Sequence, residues 1–131
     1  MKLLTRESVL RSNHLKMEQV DVTEWGEINH ETGQPEPTFV FVREMTAAER
    51  ERFERQIMTV KGRKSEVNPD KLRQKIAIAV CCDEHRQPIF AEGDIELFNE
   101  KSIVPLDRIM NVHNRMSGYI ADESFEEKLK N

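Results

Sequence analysis

Cysteine is scarce in this sequence of 131 residues: Cys81 and Cys82 are the only two, and they are adjacent. Neighbouring cysteines rarely bridge each other, because relaxed disulfide geometry does not fit so small a ring. Nothing therefore indicates an oxidising compartment. Long apolar runs are also missing, since no stretch approaches the roughly 20 residues of a membrane span. The start turns polar after Leu3 and Leu4, which is not typical of a secretory signal. These absences predict a cytosolic protein with no membrane partner.

The chain also lacks an excess of basic charge. Its 20 basic and 24 acidic residues are interspersed and give a net charge of −4. Nucleic-acid-binding domains usually carry a basic face and a positive balance, so nucleic acid is not an expected partner. With 131 residues, of which 37% are hydrophobic, the chain has the size of one domain and can bury one ordinary core.

Motifs that carry chemistry are missing too. The four histidines lie far apart, and none is followed by another histidine or a cysteine three or four residues later in the chain, a spacing that many metal sites use. No Gly-x-Ser-x-Gly nucleophile motif occurs, and none of the five glycines forms a phosphate-binding loop. The vicinal cysteines and His113 are predicted to be packing residues. We therefore expect no catalytic, cofactor or metal site, and a protein that is not an enzyme.

The N-terminal third predicts one helix and one hairpin. Thr5 can cap a short helix over residues 6–12. Residues 19–25 alternate between apolar and polar and are typical of a strand, as is the β-branched and aromatic segment 38–43. Gly33, Pro35 and Pro37 lie between them, so the pair is predicted to be a hairpin with a mobile loop near residues 27–37.

The remainder predicts helices. Thr46 and Glu49 form a capping box that opens a helix to about Met58, with Phe53, Ile57 and Val60 on its buried stripe. A flexible basic loop at 61–66 follows, then a helix over 69–82, whose apolar run 76–82 could instead be a buried strand. Further helices are expected at 92–99 and from Ser102 to Gly118. The predicted class is α+β: one domain over 1–131, with a short N-terminal helix and a β-hairpin followed by a bundle of about four helices. A mobile C-terminal tail is expected at 122–131.

The order of these segments resembles the tail assembly chaperones of long-tailed, siphovirus-type bacteriophages, over nearly the whole chain. Two departures stand out. Residues 28–37 are longer than the family's usual passage into the second strand, and Ala91 stands where a hydroxyl or acidic cap is usual. The matching segments are Lys2–Glu7, Val20–Val22, Glu24–Gly26, Arg43–Arg50, Phe53–Glu54, Cys82–Glu84, Pro88–Phe90, Asp94–Leu97, Lys101–Ser102, Leu106–Ile109 and Met116–Gly118.

The resemblance implies a protein of virion assembly in the host cytoplasm, absent from the mature particle. It would bind and solubilise the tape measure protein, help to recruit the major tail tube protein, self-associate, and need no cofactor. The chain resembles the short form that such families make alongside a longer, frameshifted one. Two alternatives remain open: a head–tail connector or tail completion protein of the virion, and a small enzyme or nucleic-acid-binding regulator.

The C-terminal apolar residues are the predicted partner-binding surface. They form one helical stripe and two projections from a charged tail: Leu106, Ile109, Met110, Met116, Phe125 and Leu129. A stripe this long need not be wholly covered in a domain of this size. Phe125 and Leu129 are either docked on their own domain or offered to a partner.

Overall fold

A three-stranded antiparallel sheet lies at the centre of the fold. The computed structural model describes residues 1–118. Over this range the chain has both helices and strands, which confirms the predicted α+β class. The first hairpin pairs β1 (Met17–Asp21) with β2 (Phe39–Arg43), and β5 (Cys81–Cys82) adds to the other side of β2. Val20 lies opposite Val40, and both are buried, so this face of the sheet is the floor of the core.

The first strand ends earlier than predicted. Asp21 Oδ1 accepts hydrogen bonds from the Thr23 amide at 2.8 Å and the Thr23 hydroxyl at 2.5 Å. This Asx-type turn competes with strand geometry, and Thr23–Trp25 forms a 3₁₀ turn instead. The predicted strand over residues 22–25 was therefore wrong.

The long loop between β1 and β2 carries backbone hydrogen bonds of its own. The Glu36 amide donates to the Glu27 carbonyl, and Asn29 bonds both the Gln34 carbonyl and the Gly33 amide, each at 2.8 Å. An isolated bridge joins Ile28 to Pro35. No pattern in the sequence indicated these backbone hydrogen bonds, and the expected mobility of the loop stays a prediction.

Helix α2 (Ala47–Ile57) begins as predicted. The Glu49 amide donates to Thr46 Oγ1 at 3.1 Å, and Glu49 Oε1 accepts from the Thr46 amide at 2.9 Å. Phe53 and Ile57 are buried. Val60 is not on this helix: residues 58–67 form a second hairpin of β3 (Met58–Lys61) and β4 (Lys64–Val67), which corrects the predicted basic loop at 61–66.

Replacing Thr46 by alanine should lower the free energy of unfolding by about 1 kcal/mol, because one half of the capping box is lost. Thr5 makes the same kind of box with Ser8 at the start of α1 (Arg6–Arg11), but no residue of α1 is buried and terminal helices fray. Thr5→Ala should therefore cost less. Urea denaturation of both variants checks this, and the reverse ranking would contradict it.

Helix α3 (Leu72–Val80) is shorter at both ends than predicted. Asn68 Oδ1 accepts from the Asp70 amide at 3.0 Å, which makes a turn, and Lys71 precedes the helix in the left-handed region at φ 51°. At the other end the chain extends at Cys81 and pairs with Val42 of β2. The prediction of a helix to Cys82 was wrong by two residues, because these residues complete the sheet.

Helix α4 (Val104–Ser117) packs on α3 and on β1 and β2. Gly118 ends it at φ 77°, as predicted for a glycine C-cap. The 3₁₀ segment Glu92–Glu100 packs on α3. Up to Gly118, four helical segments thus follow the first hairpin, and the second hairpin separates the first of them from the rest. Burial, with Arg50 nearby, lowers the pKa of His113 to about 4, so this core histidine is neutral at pH 7.

Candidate partner-binding groove

The stripe predicted to bind a partner lies mostly in the core. Leu106, Ile109 and Met110 are 3%, 0% and 7% exposed, because β1, β2 and α3 cover this face of α4. These three residues are therefore not a partner surface in this conformation, which corrects the prediction. Met116 is half-buried against the core. Phe125 and Leu129 lie outside the described residues.

The groups that most often carry chemistry are buried or scattered. Both cysteines are free and fully buried, and burial raises the pKa of the Cys81 thiol to about 12. Neither would supply a thiolate near pH 7. Within residues 1–118, no three His, Cys, Asp or Glu side chains are grouped as a metal site would need. In the same range no helix has the length and apolarity to cross a membrane.

An apolar groove of about 530 Å³ lies between α2, α3 and the segment 88–95. Phe53 comes from α2 and Ile78 from α3. Phe90 lies just before the 3₁₀ segment Glu92–Glu100, and Ile95 lies within it. Met45, just before α2, completes the floor. These residues define what we call the α2–α3 groove.

An aromatic cluster fixes the far wall of the α2–α3 groove. Phe90 meets Phe98 edge-on with ring centroids 5.0 Å apart, and Trp25 lies 5.4 Å from Phe98. Trp25 Nε1 also donates to the Ser102 carbonyl at 3.0 Å. Aromatic pairs in such geometries are worth about 0.5–1.5 kcal/mol beyond burial. Phe90 is therefore held in position by contacts outside the groove.

A cluster of charged side chains borders the groove on the side opposite the aromatic cluster, where α2 meets β2. Arg43 bonds Glu49 Oε2 at 2.5 Å and the Ala79 carbonyl at 3.0 Å, and Arg86 bonds Glu49 Oε1 at 3.1 Å. Burial opposes ionisation of the Glu49 carboxyl, but the Thr46 amide and the two guanidinium groups outweigh it and lower its pKa to about 2. This cluster ties α2 to β2, α3 and the turn at Arg86.

The rest of the rim carries Arg52, Lys75 and Glu92. Glu92 Oε1 accepts from Gln56 Nε2 at 3.4 Å across the groove. Neither Arg52 nor Lys75 forms an ion pair with any residue between 1 and 118. An apolar floor between charged rims suits an amphipathic helix, whose apolar face fills the groove while its polar face stays in water.

The sequence analysis did not identify the groove residues, although the apolar run in α3 indicated that this helix is covered on more than one side. Residues 76–80 are apolar all round the helix, and such a helix needs cover on more than one side. Ile76, Ala77 and Val80 face the core, which leaves Ile78 and Ala79 half-buried beside the groove. Phe90 gave no such signal, since it follows a polar turn.

Comparison of the chain with models of protein families, with curated protein sequences and with solved structures finds no match. The α2–α3 groove is therefore interpreted from its own geometry and from the sequence.

Proposed function

We propose that this chain is a tail assembly chaperone of a long-tailed bacteriophage, in the short form, that acts in the host cytoplasm without catalysis. It binds and solubilises the tape measure protein and helps to recruit tail tube subunits. The observation that carries the proposal is the ordered set of segments, from Lys2–Glu7 to Met116–Gly118, that resembles this family across nearly the whole chain.

The α2–α3 groove supports the proposal on physical grounds. A tape measure protein is a long helical chain with apolar stripes, which would aggregate before the tail tube encloses it. Masking such a chain needs weak, reversible contacts with apolar surface, made by a domain whose other surfaces keep it in solution. The groove offers the half-buried Met45, Ile78 and Phe90, and 34% of the chain is charged.

Co-expression with the tape measure protein tests the proposal. The chain should raise the soluble fraction of the tape measure protein, and Ile78→Glu should abolish most of that gain by placing a charge on the groove floor. Val60→Glu is the matched control, since Val60 is 71% exposed and does not line the groove. A thermal melt of each variant separates loss of binding from loss of folding. No gain in solubility with the unaltered chain would contradict the proposal.

Purified virions separate this proposal from the structural alternative. A chaperone leaves before the particle is complete, whereas a head–tail connector or tail completion protein stays. Detection of this chain in stoichiometric amounts in mature particles would replace the chaperone proposal by the structural one.

A further inference from the structure

The cations on the rim of the α2–α3 groove come from the two helices that border it. On α2, Arg52 lies next to Phe53 and four residues before Gln56, and all three line the groove. On α3, Lys75 lies three residues before Ile78, and both line the groove. Residues three and four apart share one face of a helix. Each helix therefore presents one cation beside the apolar side chain that it contributes to the groove.

These two cations are not neutralised within residues 1–118. Arg43 and Glu49, which also line the groove, pair with each other, whereas neither Arg52 nor Lys75 takes part in an ion pair in this range. The other acidic side chain of the lining, Glu92, accepts a hydrogen bond from Gln56. Three cations and two carboxylates give the lining a formal charge of +1, and two of the cations are open to a partner.

An amphipathic helix with acidic residues beside its apolar stripe matches this arrangement. Its apolar stripe would lie on the floor against Ile78 and Phe90. The residues that flank the stripe would lie over the rim, where carboxylates meet Arg52 and Lys75. Basic flanks would bring like charges together at the same places, and such contacts exclude a partner. The rim thus discriminates between helices that would fit the floor equally well.

We infer that the α2–α3 groove binds one chemical class of partner segment, an amphipathic helix whose apolar stripe is bordered by acidic residues. The inference rests on the proposed function and deepens it. Among the helical segments of a tape measure protein, those with acidic borders are the ones that this chain covers.

Two synthetic peptides test the inference with the full chain. Both are amphipathic helices of about five turns with the same leucine stripe, and they differ only in whether glutamate or lysine borders that stripe. The glutamate peptide should bind about tenfold more tightly, because two exposed ion pairs replace two like-charge contacts. The preference should shrink as the ionic strength rises from about 0.15 M to about 1 M. Isothermal titration calorimetry measures both affinities. Equal affinities, a preference for the lysine peptide, or no binding of either peptide would overturn the inference.

Reversal of the two rim charges locates the preference. Arg52→Glu with Lys75→Glu should make the lysine peptide the tighter ligand. Arg63→Glu with Lys64→Glu is the matched control: it changes the net charge equally, but both residues are exposed in the second hairpin and neither lines the groove, so the glutamate peptide should stay preferred. Arg52→Gln with Lys75→Gln should abolish the preference, and it takes the place of the reversal if a thermal melt shows that variant to be unfolded. A glutamate preference that survived in both groove variants would contradict the inference.

The peptide experiments and the test of the proposed function fail separately, because no tape measure protein enters the titrations. A chain that raises the solubility of the tape measure protein but binds both peptides equally would keep the proposed function and lose this inference. A chain with the glutamate preference but no effect on that solubility would keep the acidic-helix site and lose the tape measure protein as its partner.

Discussion

Replacing Ile109 by alanine is expected to lower the free energy of unfolding by about 2–5 kcal/mol, the range for truncating a buried aliphatic side chain. Ile109 is fully buried on α4, where that helix meets the sheet and α3. Truncation removes transfer free energy and leaves a cavity that the surrounding β1, β2 and α3 only partly fill. Urea denaturation followed by circular dichroism measures the loss.

Val104→Ala is the matched control on the same helix. Val104 is also β-branched, but it is 42% exposed, and surface substitutions usually change stability by no more than about 0.5 kcal/mol. If Ile109→Ala were as mild as Val104→Ala, the stripe of α4 would be a free surface. The sequence-based prediction of a partner site there would then be right.

The apolar spacing along α4 predicts that the helix has an apolar face, but not what covers that face. The spacing of Leu106, Ile109 and Met110 correctly predicted one apolar face on α4. It could not indicate whether a partner or the chain itself covers that face, because the cover comes from β1 and β2, more than 60 residues earlier. Predictions from local motifs were more accurate. The capping box of Thr46 and the helix end at Gly118 depend only on residues within four positions, and both predictions were confirmed.

The errors arose where two local structures compete. Residues 58–60 continue the apolar pattern of α2, yet the backbone extends at Met58 and pairs with residues 64–67. The signal overlooked was Gly62, whose φ of 64° suits the first central position of a two-residue hairpin turn. The α2–α3 groove was harder to foresee, because Phe53, Ile78 and Phe90 meet only through the tertiary fold. No local pattern predicts a surface built from three separate segments.

Replacing Glu49 by glutamine is expected to lower the free energy of unfolding by about 2–3 kcal/mol at pH 7. Glutamine can still complete the capping box with Thr46, so the substitution isolates the charge. Arg43 and Arg86 are 14% and 25% exposed and lose the carboxylate that they share. Removing one partner of a largely buried ion pair destabilises a fold strongly, because it leaves the other charge without compensation. A pKa lowered from 4.5 to about 2 corresponds to about 3 kcal/mol in favour of the folded state at neutral pH.

The dependence on pH distinguishes this charge effect from a packing defect. The folded state holds Glu49 ionised to a lower pH than the unfolded state does. Its contribution is therefore complete above pH 4.5 and is lost as the pH falls toward 2. The difference in unfolding free energy between the unaltered chain and Glu49→Gln should shrink across that window. Glu18→Gln is the control: Glu18 pairs with Arg115, the two side chains are 39% and 56% exposed, and such surface pairs are worth at most about 1 kcal/mol. A loss in Glu49→Gln that stayed constant from pH 7 to pH 3 would place the cost in packing and not in the ion cluster.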